Sequence, residues 1–236
     1  MYSSEFCNVY DQFGWNYFPM AFGEDLLQWL QRQQLQIRRS LDLGCGTGIL
    51  CAMLRESGID AWGMDLSEGM IGIARQRDPA GHYEVADMVR YRPEARFELI
   101  TCTGDALNHI PDLGDIGTIF RNVYAMLQPG GHFVFDVLRP DEVTPGEAFE
   151  VDFSDTVRAR FGVSRLVDGR LQLSTAVFEG GVLQFEERIT ETVHDHAALR
   201  QLLSEAGLEL LQAGDRLLPD TPGHSTTCYM IARRPE

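Results

Sequence analysis

Asp42 and the glycines that follow it, in the run Leu41-Asp-Leu-Gly-Cys-Gly-Thr-Gly48, place a carboxylate beside a loop of bare backbone amides. Apolar residues before the run read as the end of a buried strand, and those from Ile49 onward as the start of a helix. Glycine at every second position (Gly44, Gly46, Gly48) lets N–H groups approach a ligand with no Cβ in the way. A carboxylate there can hold a positive group, so the loop suits a ligand with an amine, a carboxylate and a ribose better than a pyrophosphate. Asp65 ends a second apolar run, where one carboxylate can accept from two adjacent ribose hydroxyls. Its alternative role is to cap the helix that Ser67 begins. The dinucleotide fingerprint would want glycine where Ile49 stands, which disfavours a nicotinamide dinucleotide.

Proton-transfer chemistry points first to His109, on the loop after an apolar run at residues 97–102. Tyr10 and Tyr17 follow, from an N-terminal stretch dense in aromatic rings that should pack on the body or over a ligand. His194 and His196 have a spacing that a metal could use, but no third ligand is near in sequence. His224 falls in a loop after Pro222-Gly223.

These residues need elements to position them. Apolar spacing predicts a helix at about residues 22–34, strands at 40–43 and 61–65, and helices at 49–56 and 68–77. A short third strand ends near Asp87, a fourth covers 97–102, a loop runs over 103–110, and a helix spans about 114–127. Pro129-Gly130-Gly131 should end that helix before a fifth strand at 132–137. Strand–helix alternation of this kind argues for a parallel α/β sheet. The period then changes: residues 151–194 carry alternating runs joined by Asp168-Gly169 and Gly180-Gly181, both hairpin signals. An antiparallel β-insert at 139–195 is expected, splitting a core made of 1–138 and 196–236. It would have to cover the core, an acceptor molecule or a second subunit, since an alternating strand needs one face covered.

Composition narrows the partners. In 236 residues, acidic side chains outnumber basic ones 35 to 20, a net charge of −15 that disfavours a phosphate-backbone partner. Five cysteines without Cys-x-x-Cys spacing suggest neither a disulfide framework nor a structural zinc. There is no basic, apolar leader and no run long enough to span a bilayer, so the expectation is a cytoplasmic protein.

The motifs together resemble the class I S-adenosylmethionine-dependent methyltransferases. Leu41–Gly48 is similar to their first motif, and Gly63-Met-Asp65-Leu-Ser-Glu-Gly-Met70 to their second. Val85-Ala-Asp-Met88 stands where the family keeps an acid facing the adenine, and Leu127–Phe135 is similar to its run into strand five. The resemblance implies a doubly wound, mostly parallel seven-stranded sheet with a reversed final hairpin. It implies S-adenosylmethionine as cofactor and S-adenosylhomocysteine as product. It further implies cofactor contacts from Asp42, Gly44, Cys45, Gly46 and Gly48, from Asp65, Leu66 and Met70, from Asp87 and Met88, and from Thr103, with Tyr17 closing over them. The nucleobase-methylating signature is missing, and Gly104-Asp105-Ala-Leu-Asn108 stands in its place. The expected activity is methylation of an N or O atom of a small molecule, with no nucleic acid or membrane as partner and a homodimer as one use of the insert. A nicotinamide-dependent oxidoreductase and a non-catalytic S-adenosylmethionine-binding interaction protein are the alternatives.

Overall fold

The computed structural model describes residues 2–12, 16–139, 146, 148–166, 168, 170–223 and 226–236. His224 and Gly169, both singled out in the sequence, lie outside the described residues. The first strands and helices alternate: β1 (Arg39–Leu43), α3 (Ile49–Glu56), β2 (Asp60–Asp65), α4 (Glu68–Arg77), β3 (His82–Val85), β4 (Phe97–Cys102), α5 (Leu113–Met126) and β5 (Leu127–Leu138). Two helices precede them, α1 (Ser4–Val9) and α2 (Tyr17–Arg32). After the insert come α6 (His196–Glu205), β10 (Glu209–Gly214) and β11 (Thr227–Arg233).

The main sheet has the order β10-β11-β5-β4-β1-β2-β3. The pairs β1–β2, β1–β4, β2–β3 and β4–β5 are parallel, while β5–β11 and β10–β11 are antiparallel. This is the expected doubly wound sheet with its reversed final hairpin. Alternation along β5 shows why both faces are covered: Phe133 and Phe135 join one core with α5 and α6, whereas Val134 joins the other with α2 and α3.

Three boundaries differ from the sequence reading. Helix α2 begins at Tyr17, not near residue 22, because Pro19 falls in its first turn, where no N–H is needed. Phe18 and Phe22 then stack on Tyr229 of β11 with centroids 6.5 and 5.9 Å away. Pro129-Gly130-Gly131 lies inside β5, whose register with β4 shifts there, so α5 ends at Met126. The loop at 103–110 contains a 3-10 turn, Ala106–His109.

The insert forms a separate antiparallel sheet in the order β6 (Ala148–Asp152), β7 (Val157–Arg165), β8 (Leu171–Glu179) and β9 (Val182–Glu191). It leaves the core at the end of β5 and re-enters beside the 3-10 turn, where Asn108 holds the junction. The fully buried Asn108 side chain donates to the Thr192 carbonyl at 2.7 Å and accepts from the Leu138 N–H at 3.1 Å. The backbone of Asn108 adds a third link, its carbonyl accepting from the Thr192 N–H at 2.7 Å. His194 and His196 donate through Nε2 to the Ile110 and Leu138 carbonyls, each at 2.9 Å. These two histidines pin the seam, and among the described residues no cluster could hold a metal ion.

Asn108→Ala strands a buried carbonyl and a buried N–H, each costing about 1–3 kcal/mol. We expect urea unfolding to show a loss of about 2–4 kcal/mol; a loss below about 1 kcal/mol would remove Asn108 as the anchor of the seam.

Candidate active site

The glycine loop leaves β1 and is drawn onto β2: the N–H groups of Gly44 and Cys45 both donate to the Met64 carbonyl, at 2.8 and 2.9 Å. Gly48 has φ +77°, and a Cβ there would lie 2.8 Å from the Ala74 side chain, so only glycine lets the loop meet α4. At Gly46, φ +52°, a Cβ would project into open space, so nothing crowds that side of the loop. A Cβ on Gly44 would stand 3.0 Å from Ala106 and 3.5 Å from Met88, so the 3-10 turn and the segment after β3 flank the loop.

Asp65 ends β2 and joins two neighbours. It accepts from the Gly46 N–H at 3.0 Å through one oxygen and from the Ser67 N–H at 2.8 Å through the other. Ser67 itself caps α4, its hydroxyl accepting from the Met70 N–H at 3.3 Å. Each carboxylate oxygen retains a second acceptor direction for a ligand hydroxyl. Asp42 sits inside β1 rather than at its end, 4 % exposed, and accepts from the Thr101 hydroxyl at 2.7 Å. Burial raises its pKa to about 7, against a smaller lowering by Thr101.

Asp87 accepts from the Val89 N–H at 2.9 Å and lines a surface cleft of about 300 Å³ with Glu84, Arg90 and Tyr91. Met88 packs partly buried against the main core, Cys45 is buried in the loop, and Thr103 follows β4 half-buried. Leu66 is exposed on the β2–α4 connection. Met70 is fully buried beneath Phe6 and Cys7 of α1, and Tyr17 is 74 % exposed at the head of α2. The structure therefore does not bring Met70 and Tyr17 to the surface of the loop as it stands: α1 covers the one, and the helical start of α2 turns the other outward.

The N-terminal segment crosses the glycine loop. Asp11 accepts from the Thr47 hydroxyl at 2.9 Å and pairs with Arg77, which also donates to the Thr47 carbonyl at 3.0 Å. Further out, the Ser3 hydroxyl bonds Glu187 of β9. Tyr2 and Tyr10 face inward, their centroids 6.2 Å apart, and burial raises both hydroxyls, with Asp65 and Asp105 adding to it. The Tyr2 hydroxyl lies 3.3 Å from His109 Nε2. Burial lowers the His109 pKa, which favours its neutral form.

Around His109 the sequence reading missed most of the carboxylates. Asp105 begins the 3-10 turn in the left-handed region, φ +59°. Behind it Asp136, fully buried in β5, accepts from the Gly104 N–H at 2.8 Å and the Asp105 N–H at 3.3 Å. Glu191 ends β9, 4 % exposed, with Oε1 3.9 Å from His109 Nε2. Burial raises all three of these acids. Asp105 stood in the stretch that replaces the nucleobase signature; Glu191 and Asp136 carried no sequence signal, being distant in the chain and placed only by the fold.

A family model described as a methyltransferase domain matches residues 17–213. The chain belongs to this family. It is an S-adenosylmethionine-dependent methyltransferase of class I. It is 32% identical over 210 residues to a Geobacillus sp. (strain WCH70) protein provisionally named a methyltransferase, covering 84% of this chain and 85% of that one. A Bacillus subtilis relative is matched over 60% of its own length. An S-adenosylmethionine-dependent methyltransferase from Clostridium acetobutylicum ATCC 824 shares the fold with a TM-score of 0.82 at 21% identity, covering 97% of this chain and 100% of that one. A sugar N-methyltransferase from Streptoalloteichus sp. ATCC 53650 does so with a TM-score of 0.80 at 23%, covering 97% and 93%. Family membership replaces the oxidoreductase and non-catalytic alternatives.

The residues present fit S-adenosylmethionine. The space beside Gly46 is open, Asp65 has acceptor capacity to spare, and the site's buried carboxylates match a ligand that carries an ammonium and a sulfonium. Buried acids with raised pKa bind protons more tightly folded than unfolded, so their stabilising contribution is lost as pH rises through the folded values. Lowered His109, His132 and His194 act oppositely, but only below their ordinary pKa near 6.5. We therefore expect the Tm of the ligand-free protein to fall from about pH 6.5 to 8, at most about 1.4 kcal/mol per pH unit for each group. Asp42→Asn should flatten the start of that fall; a wild-type Tm that is level or rising over this range would show that these acids are ionised in the fold.

Proposed function

We propose that this methyltransferase acts on a nitrogen or oxygen atom of a small molecule, with His109 accepting the proton that the acceptor must lose. The observation that carries this reading is the placement of His109: its turn flanks the glycine loop through Ala106, and its ring is held by the Tyr2 hydroxyl and kept neutral by burial. When bound, S-adenosylmethionine supplies a methyl group on a sulfonium, which leaves without needing a metal or a covalent enzyme intermediate.

The chain's own residues then have separable tasks. In this reading Asp65 receives the ribose hydroxyls, Asp42 meets the α-ammonium directly or through water, the Gly44–Gly48 loop lies against the carboxylate end, and Asp87 faces the adenine. Tyr10 and Tyr2 exclude water from above. Positioning of acceptor and methyl in line accounts for most of the rate in such a displacement, and His109 contributes where the nucleophile is protonated. The −15 net charge supports a small acceptor over a nucleic acid. The likeness in fold to a sugar N-methyltransferase is compatible with a small acceptor.

Calorimetric titration with S-adenosylmethionine, S-adenosylhomocysteine and NADH tests the cofactor site. We expect the two adenosyl ligands to bind and Asp65→Ala to weaken them by about 1.5–3 kcal/mol, the worth of charge-assisted hydrogen bonds. Unchanged affinity in a folded variant removes Asp65 from the site. His109→Ala should lower kcat by about 10²–10⁴-fold with that affinity intact; undiminished turnover would end its role as base.

A further inference from the structure

Two oxygens stand out around His109. Glu191 Oε2 and Asp105 Oδ1 are both buried, and among the described residues neither atom has a hydrogen-bond partner, the Asp105 carboxyl otherwise meeting only Asp136 behind it. A buried acceptor left unpaired costs free energy, and an ionised one costs more. Here the two share one neighbourhood: Glu191 Oε1 is 3.9 Å from His109, and the 3-10 turn that Asp105 begins carries that same histidine and packs against β9. The ring that faces Glu191, that of His109, is held toward its neutral form by burial. The Asp105 backbone is held in the left-handed region by Asp136, which takes both the Gly104 and Asp105 amides. A non-glycine residue kept there at a cost, with an unpaired buried oxygen, marks a position built for something else.

The complement of two carboxylate oxygens and an imidazole nitrogen is a group with several N–H donors and a positive charge. An alkylammonium has three such donors, whereas a hydroxyl has one. We propose that Glu191, carried in by the last strand of the insert, and Asp105 receive the ammonium group of a small-molecule amine, with His109 taking its proton. This assignment rests on the methyl-transfer reading above and narrows it to nitrogen. R–NH₃⁺ gives one proton to His109 Nε2, and the freed nitrogen lone pair forms the new N–C bond. The methyl–sulfur bond breaks with its electron pair kept by sulfur, the sulfonium becomes a neutral thioether, and the product leaves as R–NH₂–CH₃⁺. Glu191 and Asp105, ionised once the ammonium is bound, hold substrate and product cations alike.

The test uses the full chain with saturating S-adenosylmethionine and matched acceptors, amino sugars and arylalkylamines against their hydroxyl counterparts, with S-adenosylhomocysteine release as the readout. We expect amines to be methylated in preference to their hydroxyl partners. Glu191→Gln should raise KM for the amine by about tenfold or more, as loss of a charge-assisted hydrogen bond requires, with kcat far less affected. Glu191→Asp should recover part of the loss, and S-adenosylhomocysteine affinity should stay at the wild-type value, which also reports that the variant is folded. Asp105→Asn provides a second, independent variant with the same expected split. Methylation of hydroxyl acceptors alone overturns the amine assignment and leaves the methyl-transfer reading standing. Amine turnover with KM unmoved in both folded variants overturns the roles of Glu191 and Asp105. Turnover of no acceptor in the panel, with the adenosyl ligands bound, overturns this assignment and the small-molecule reading together.

Discussion

The side-chain amide of Asn108 joins three stretches of chain that are far apart in sequence. It sits in the turn after β4, takes the N–H at the end of β5 and gives a hydrogen to the carbonyl just beyond β9. With no water-exposed surface, it can satisfy those backbone groups only in one arrangement. The insert therefore leaves and returns through a fixed point. The turn that carries Asp105 and His109 is thereby held between the main sheet and the second one. Asp136 completes the restraint from below by taking the two amides at the start of that turn.

Charge is the other organising constraint. The interior around the glycine loop and the 3-10 turn collects Asp42, Asp65, Asp105, Asp136 and Glu191, all with pKa values raised chiefly by burial. Arginines elsewhere are engaged at the surface, as Arg158 is with Glu150 and Asp152, or Arg32 with Asp220. Arg77, which grips the Thr47 carbonyl from outside the glycine loop, is itself paired with Asp11. A ligand bearing positive charge supplies what the fold omits, and ligand-bound and ligand-free protein should differ in stability for that reason as well as through contact area.

The sheet and the cofactor loop were legible because their signals are local. Period changes, Ser67 as a cap and the glycine spacing each act within a few residues, and the strand order follows once they are known. The alternating runs ending at Gly180-Gly181 likewise announced β8 and β9. What escaped had non-local causes. Tyr17 reads as one more ring in an aromatic segment until Pro19 is seen to open a helix whose Phe18 and Phe22 need Tyr229, two hundred residues away in the chain. Met70 has the helical spacing of a side chain facing a ligand, yet Phe6 lies on it. Glu191 reads as an ordinary polar position of an alternating strand; only the re-entry of the chain at Asn108 buries it.

The strap made by Asp11 has a kinetic meaning. It bonds the hydroxyl of Thr47 and the guanidinium of Arg77, which itself grips the Thr47 carbonyl, so the N-terminal segment is latched to the very loop that would hold the cofactor. A latch of this kind makes exchange at the loop a unimolecular event, opening first and diffusion second. Cofactor entry and spent-cofactor exit would then share one door, closed by the same segment whose Ser3 and Tyr2 reach Glu187 and His109. Because each transfer spends one methyl donor, such a latch would have to open once in every turnover.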